Sequence, residues 1–265
     1  MLELNEITKY WTTGMVFGRK HTIVLDGISM SFDRGKITAL IGNSGCGKTT
    51  LSKIATGITD PSSGTVSLDG VPFTEDNFRE NRWQIQMVFQ HPEGALNPRI
   101  KIEDSIKEVL RKVGCPGNRL NERMDEICAE MGIQPELLKR YPNQISGGEI
   151  QRIVLARVMM FQPRYLFLDE PTSMLDPSVQ ANIFGLILKK TRKFNSGVVI
   201  VTHDLDIVSN LADSVAFLED GRIQAYGTAE EVRKVATDLF ESWDRQKNMR
   251  RITSECHLAG DSQRI

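Results

Sequence analysis

Residues 42–50 read GNSGCGKTT and follow a short apolar run, ITAL, at residues 37–40. The stretch fits the pattern G-x-x-x-x-G-K-[ST], which joins a strand to a helix through a glycine-rich loop. Such a loop lets backbone N–H groups converge on phosphate oxygens, and large side chains would block that approach. A turn that only reverses the chain would account for the glycines, but not for the lysine and threonine after them. We therefore expect an α/β protein that binds a nucleoside triphosphate.

The residues of this loop have distinct expected tasks. Lys48 brings a positive charge to the β- and γ-phosphates, and the Thr49 hydroxyl can ligate Mg²⁺. Cys46 lies near Lys48 and a helix N-terminus, which both favour a thiolate, although we favour a small side chain without a chemical role. The full set of residues expected to contact the nucleotide here is Gly42, Asn43, Ser44, Gly45, Cys46, Gly47, Lys48, Thr49 and Thr50.

The composition limits the classes of protein to consider. With 265 residues, 40% hydrophobic and 25% charged, the chain is typical of a globular protein with a sizeable core. Its net charge of -1 argues against a general nucleic-acid binder. No apolar run approaches the ~20 residues that span a bilayer. The four cysteines show no metal-ligand spacing, and no signal peptide is evident, so we expect a reducing, cytosolic setting.

Alternating and continuous apolar patterns predict two kinds of strand. The opening MLELNEITKY alternates like a half-exposed strand, and TVSLDGVPF predicts a hairpin that turns at Asp69–Gly70. IQMVFQ is a further candidate for a buried strand. YLFLDE and GVVIVTHD are nearly continuous apolar runs, as expected of strands covered on both faces in a parallel sheet.

Helical spacing appears in two other regions. Apolar residues recur at helical intervals from Ile102 to about Met131, with a break at Pro116–Gly117. Near the C-terminus, a capping box of Thr228 and Glu231 is expected to open a helix. One face of that helix should carry Val232, Val235, Leu239 and Trp243. The chain is thus an α/β core interrupted by a mostly helical insert between roughly His91 and Pro163.

Two adjacent carboxylates end the strand YLFLDE. We expect Asp169 to reach Mg²⁺, usually through water, and Glu170 to act as general base towards a water at the γ-phosphate. The alternative is a solvated strand end with two exposed acids. The position of the pair behind a strand that follows a phosphate-binding loop favours the catalytic interpretation.

Two further polar residues follow predicted strands. His203 comes after GVVIVT, and ligands collect at the carboxyl ends of parallel strands. It could hydrogen-bond the γ-phosphate and hold the attacking water, whereas the alternative is a surface histidine. Gln90 could complete the environment of the Mg²⁺ or the water, and its alternative is an ordinary polar residue at a strand end.

The stretch ISGGEIQR at residues 145–152 places two glycines before an amphipathic helix. Ser146 and Glu149 form an S-x-x-E capping box, which explains the serine without any ligand. It does not explain Gly147 and Gly148, because glycine is costly in a first helical turn unless something must approach the backbone.

Together these motifs resemble the ATP-binding cassette (ABC) ATPases, over the chain from Leu2 to about Val235. The resemblance rests on the phosphate-binding loop, Gln90, ISGGEIQR, LFLDEP, SMLD with Asp176, and His203, in the order of that family. It implies an α/β fold: a P-loop NTPase (RecA-like) core with an N-terminal antiparallel β subdomain and an inserted α-helical subdomain. Within one domain of residues 1–265, the core and β subdomain would take about 1–90 and 164–227, the helical subdomain about 91–163, and the C-terminal helix and tail 228–265.

The resemblance also implies a composite site. Two such domains would pair head to tail with two ATPs between them, and Ser146, Gly147 and Gly148 would face the γ-phosphate held by the partner. Trp11 is at the position where the family stacks an aromatic ring on adenine. Adjacent Tyr10 is a possible substitute, and an amphipathic strand end is the alternative.

The segment MVFQHPEGALNPR resembles importer ATPases for oligopeptides, dipeptides and nickel. This implies an ATPase that powers solute import from the cytoplasmic face of the cell membrane, as a peripheral subunit. Its implied partners are a second cassette, identical or different, integral membrane permease subunits, and indirectly an extracytoplasmic solute-binding protein, but no nucleic acid. A permease helix would dock beside Gln90, on a segment such as EGALNPRI.

Two other functions compete with import. A soluble ABC protein of DNA repair or translation would usually carry long coiled-coil insertions or two fused cassettes, and this sequence has neither. A P-loop kinase would need a phosphoryl acceptor site and would leave Gly147 and Gly148 unexplained.

Overall fold

The computed structural model describes residues 1–13, 20–74, 77, 81–171 and 177–242. Its strands are β1 Leu2–Thr13, β2 Lys20–Phe32, β3 Ile37–Ile41, β4 Ser63–Leu68, β5 Val71–Pro72, β6 Ile85–Val88, β7 Tyr165–Asp169, β8 Gly197–Val201, β9 Ser214–Glu219 and β10 Arg222–Gly227. Its α-helices are α1 Lys48–Ala55, α2 Ile102–Lys112, α3 Leu120–Met131, α4 Gly147–Met159, α5 Pro177–Phe194, α6 Leu205–Asn210 and α7 Ala229–Val235. Short 3₁₀ helices cover Pro92–Ala95, Gly117–Arg119, Pro135–Lys139 and Pro142–Gln144.

The N-terminal strands form a four-stranded antiparallel sheet in the order β2-β1-β4-β5. The alternation predicted for the opening strand is confirmed, since Leu2, Leu4 and Ile7 are buried. Their spacing changes after Leu4 because the register of β1 against both neighbours shifts there. The predicted hairpin is also present: Leu68 pairs with Val71 across the turn.

The second sheet has six strands in the order β10-β9-β3-β8-β7-β6. All neighbours from β9 to β6 are parallel, and β10 pairs antiparallel with β9. Every residue of β7 and β8 is buried, as the continuous apolar runs predicted. Because these strands are parallel, their carboxyl ends lie at one edge of the sheet.

The segment between β6 and β7 is helical. The predicted break between two helices is confirmed, because α2 and α3 are separated by a short turn at Gly117–Arg119. Residues of α2, α3 and α4 pack into one buried cluster that extends to β7 and β8, including Ile106, Leu110, Met124, Ile127 and Ile153. The predicted fold class is confirmed: a parallel α/β core is combined with an antiparallel β sheet and a helical insertion.

The predicted C-terminal capping box is present, and the predicted apolar face is partly wrong. Glu231 Oε2 accepts hydrogen bonds from the backbone N–H of Thr228 at 2.8 Å and from its hydroxyl at 3.0 Å. Val232 is buried, but Val235 is 58% exposed. The reason is that α7 ends at Val235, before a separate helical segment over 237–242. Leu239 in that segment is buried as predicted, together with Phe240. Trp243 and the predicted loose tail lie outside the described residues.

Within the part of the chain that the structure describes, no helix combines enough length with enough apolar character to cross a bilayer.

Phe167 of β7 provides a test of the core between the two sheets. Its ring is 1% exposed and meets Phe32 edge to face, with ring centroids 5.4 Å apart. We expect Phe167→Ala to lower the free energy of unfolding by about 3–5 kcal/mol, because the loss of the ring leaves a cavity. Urea titration followed by circular dichroism measures the change. Ile23→Ala is the control, since Ile23 is 61% exposed and should change stability by less than ~0.5 kcal/mol. Equal losses in both variants would contradict this packing.

Candidate nucleotide-binding and hydrolysis site

The glycine-rich loop joins β3 to α1 as predicted, and its backbone excludes larger residues. Gly47, directly before α1, has φ 110°. A Cβ added there would lie 2.7 Å from Leu25 Cδ2 and 2.9 Å from the carbonyl oxygen of Val24. A side chain at this position would therefore combine backbone strain with a steric clash.

The N-terminus of α1 is open for an anion. No side-chain hydrogen bond caps it, and its first turn carries no acidic residue. The Lys48 ammonium donates to the carbonyl oxygens of Gly42 and Asn43 at 2.9 and 2.8 Å, so its charge lies across the loop. Uncapped N–H groups and an adjacent cation are what a phosphate chain requires.

An open cleft of about 560 Å³ lies over this loop. Most of the predicted site residues line it, from five elements of the fold. The lining residues are Val24, Gly42, Asn43, Ser44, Gly45, Gly47, Lys48, Thr49, Thr50, Gln90, Asp169, Glu170, Val201, His203 and Ser242. The predicted residues that do not line it are Trp11, Cys46, Ser146, Gly147 and Gly148.

The expectation that its surroundings favour a Cys46 thiolate is wrong. Burial raises the pKa of this thiol, and the lowering effect of the Lys48 charge is smaller. The sulfur lies 3.8 Å from Lys48 Nζ, yet the side chain is not part of the cleft lining. This agrees with a small side chain without a chemical role, which was the interpretation favoured from the sequence.

Asp169 and Thr49 form an oxygen pair at the base of the cleft. Asp169 is 5% exposed. Burial raises the pKa of its carboxyl, while a hydrogen bond from Thr49 and the charges of Lys48 and Lys53 lower it. A hydroxyl and a carboxylate in contact are hard oxygen donors, and Mg²⁺ is usually held by one or two such protein groups together with phosphates. The residues present therefore fit the predicted ion.

Glu170 is held between the two other predicted catalytic residues. Gln90 Nε2 donates to its Oε2 at 3.0 Å, and His203 Nδ1 lies 3.5 Å from its Oε1. The hydrogen bond with His203 is the main cause that lowers the pKa of this carboxyl, against the opposing effect of burial. Its backbone has φ 45°, a conformation that non-glycine residues seldom adopt. A carboxylate kept ionised beside the phosphate cradle can accept a proton from water.

The start of α4 shows the capping box that the sequence allowed. Glu149 Oε2 accepts from the backbone N–H of Ser146 at 2.7 Å and from its hydroxyl at 2.8 Å. These two hydrogen bonds lower the pKa of Glu149. A Cβ added at Gly147 would meet nothing within 4 Å. Packing against the residues that the structure describes thus does not require a glycine there, and a role facing another molecule stays a prediction.

Trp11 lies on β1 opposite Thr22 and is not among the residues that line the cleft. Its ring is 49% exposed, with Lys9 Nζ 4.7 Å from the ring centroid. The neighbouring Tyr10 is 44% exposed and contacts His21 edge to face. Asp176 of the SMLD stretch lies outside the described residues.

Comparisons with known proteins agree with this arrangement. A family profile described as ABC transporter matches residues 25–173. The chain belongs to the ABC transporter family. The di/tripeptide transport ATP-binding protein DppF of Pseudomonas aeruginosa is 36% identical over 238 residues, which cover 88% of this chain and 74% of that protein. The nickel import ATP-binding protein NikE of Brucella suis is 34% identical over 223 residues, 83% of this chain and 84% of that protein.

A solved structure supports the same fold for this ABC chain. The ATP-binding cassette MJ0796, in a dimeric post-hydrolysis state bound to ADP and Pi, superposes with a TM-score of 0.77. It is 24% identical, and the match covers 86% of this chain and 99% of that one. The family profile and the relatives named as transport ATP-binding proteins identify the chain as an ABC ATPase.

Sequence reasoning missed several residues of the cleft. Val24 from β2, Val201 at the end of β8 and Ser242 from the C-terminal helical segment all line it. No local pattern marks them, because each reaches the cleft only through the packing of distant segments. Ser242 in particular lies 194 positions after Lys48 in the numbering of the chain.

Removal of the His203 ring tests the electrostatics of Glu170. In His203→Ala we expect the pKa of Glu170 to rise towards its ordinary value, 4.5, because the main hydrogen bond that favours the carboxylate is gone. The lowered pKa of Glu170 contributes stability at any pH above the pKa of this carboxyl in the unfolded chain. That contribution is lost as the pH falls through the pKa of Glu170 in the folded protein. NMR titration of ¹³C-labelled glutamate carboxyls measures the shift. Glu231 is the internal reference, since its pKa is lowered by Thr228 in both proteins. An unchanged Glu170 titration would refute the assigned cause.

Proposed function

We propose that this chain is the ATP-hydrolysing subunit that powers solute import through a membrane ABC transporter, with peptides or nickel as the solute class. The observation that carries the proposal is the Glu170 carboxylate, held between Gln90 and His203 beside the phosphate cradle. Two relatives named for peptide transport and nickel import support the solute class.

Each polar group of the cleft has a proposed part in hydrolysis. The loop N–H groups and Lys48 bind the triphosphate. Thr49, Asp169 and Gln90, which all line the cleft, would hold Mg²⁺, and the ion would neutralise phosphate charge. Glu170 accepts a proton from the attacking water, and His203 hydrogen-bonds the γ-phosphate and keeps that water in line. The products are ADP and inorganic phosphate.

The same proposal includes partners and location. A second cassette, identical or different, pairs head to tail, so that Ser146, Gly147 and Gly148 face the partner's γ-phosphate while Trp11 stacks on adenine. The support for this role is the pair Gly147 and Gly148, which leaves the N–H groups at the α4 N-terminus without side chains around them for an anion. The capping carboxylate of Glu149 opposes that attraction. Permease subunits dock on the segment about residues 93–100 of the helical subdomain, and they receive solute from an extracytoplasmic binding protein. The subunit then lies at the cytoplasmic face of the membrane.

Replacement of the proposed base tests the chemistry. Glu170→Gln should retain ATP binding, lower turnover at least ~100-fold and favour the closed dimer, because the amide cannot accept the proton. Phosphate release measures turnover, and gel filtration with ATP measures dimerisation. Glu219→Gln is the matched control: Glu219 ends strand β9 of the same sheet and is not among the residues that line the cleft, so turnover should persist. Near-normal hydrolysis in Glu170→Gln would exclude Glu170 as the base.

The transport assignment has its own test. We expect the tagged chain to cofractionate with membranes through an integral partner, and its ATPase activity in vesicles to rise with the right peptides or metal chelates. Loss of the chain from membranes after removal of the permease is the control. Recovery of the chain on polysomes or DNA, free of membranes, would favour the alternative of a soluble ABC ATPase in translation or DNA repair.

A further inference from the structure

Helix α4 carries an arginine that the hydrolysis chemistry does not use. The Arg157 side chain is only 19% exposed, and burial lowers its pKa against the opposing charge of Glu108. A cation withdrawn from water needs compensating contacts, or the fold loses stability. Its contacts therefore indicate what it holds in place.

The guanidinium of Arg157 joins three segments of the chain. Nη1 donates to the carbonyl oxygen of Ala95 at 2.7 Å, a short, charge-assisted hydrogen bond. Nη2 lies 3.7 Å from Glu108 Oε2 on α2. Nε is buried without a hydrogen-bond partner among the described residues. The side chain thus ties α4 and α2 to the 3₁₀ turn Pro92–Ala95.

That turn closely follows Gln90, which lines the catalytic cleft. It begins two residues after Gln90, and Gln90 Nε2 contacts Glu170 at 3.0 Å. Pro92 and Leu96 are buried, whereas 93–95 between them are exposed. Arg157 therefore holds the exposed part of the turn through a backbone carbonyl group of the turn. A change of the side chain at Ala95 would not remove this hydrogen bond.

We propose that Arg157 is a positioning residue for ATP hydrolysis. By fixing the turn Pro92–Ala95 to α4, it keeps the Gln90 amide against the Glu170 carboxylate. This inference rests on the proposed function above. The planar guanidinium suits the task because it can reach a carbonyl and a carboxylate at the same time, which a lysine ammonium does less well.

The same helix offers a matched control. Arg152 Nη1 also donates to a backbone carbonyl, that of Met131 at 3.2 Å. This contact joins α4 to the end of α3, within the helical segment, and leads to no residue of the cleft. Its loss should lower stability without displacing Gln90.

The experiment compares Arg157→Met, Arg157→Lys and Arg152→Met in the full chain. We expect Arg157→Met to lower kcat at least ~10-fold, because small misplacements of catalytic groups are costly. Its KM for ATP should stay within ~2-fold, because the phosphate cradle is unchanged.

Arg157→Lys should recover part of kcat. Arg152→Met should keep kcat while its melting temperature falls about as much as that of Arg157→Met. Hydrogen exchange in 90–96 should accelerate in Arg157→Met alone.

Two results would overturn the proposal: an unchanged kcat in Arg157→Met, or equal losses of kcat in Arg157→Met and Arg152→Met. If Arg157→Met does not fold, Arg157→Lys decides: a reduced kcat with unchanged KM supports positioning, and wild-type kcat refutes it. The hydrolysis function is established first, by ATP turnover in the wild type that is lost in Glu170→Gln. If Arg157→Met then has no effect on kcat, only the positioning role of Arg157 is refuted. If the wild type itself is inactive, the proposed function is refuted.

Discussion

The cleft depends on the parallel pairing of three central strands. Leu40 of β3 lies opposite Val201 of β8, and Val201 lies opposite Asp169 of β7. This row across the sheet brings the start of the phosphate-binding loop, the acidic pair and the segment of His203 to one edge. A register slip would separate groups that must lie within a few ångströms of each other, and it would also move buried side chains to the wrong face. Complete burial of β7 and β8 specifies the register.

Two adjacent carboxylates acquire different properties at that edge. Burial raises the pKa of Asp169, whereas the hydrogen bond with His203 lowers the pKa of Glu170. Neighbours in sequence with opposite shifts are suited to different tasks. Asp169 accepts a hydrogen bond from Thr49, whereas Glu170 contacts Gln90 and His203.

The two capping boxes show that this local motif predicts where a helix begins but does not predict a ligand. Ser146 with Glu149, and Thr228 with Glu231, make nearly the same set of hydrogen bonds at the starts of α4 and α7. Only the first has glycines inside the first helical turn, and a Cβ added at Gly147 would meet no described atom within 4 Å. The capping box therefore explains the beginning of both helices. The role proposed for α4 rests on the glycines and on the family, and Arg157 connects the far end of that helix to the turn after Gln90.

The sequence alone predicted the fold class and several local features. These are the phosphate-binding loop, the acidic pair, His203 and the helix break at Pro116–Gly117. These features depend on local spacing, on backbone conformation or on continuous burial, which a sequence displays directly. Tertiary structure decided the raised pKa of Cys46, the exposure of Val235, the presence of Ser242 in the cleft and the contact of Arg157 with Ala95. Each of these follows from desolvation or from contacts between distant segments, and no local pattern carries such information because the energies arise only when the chain has packed.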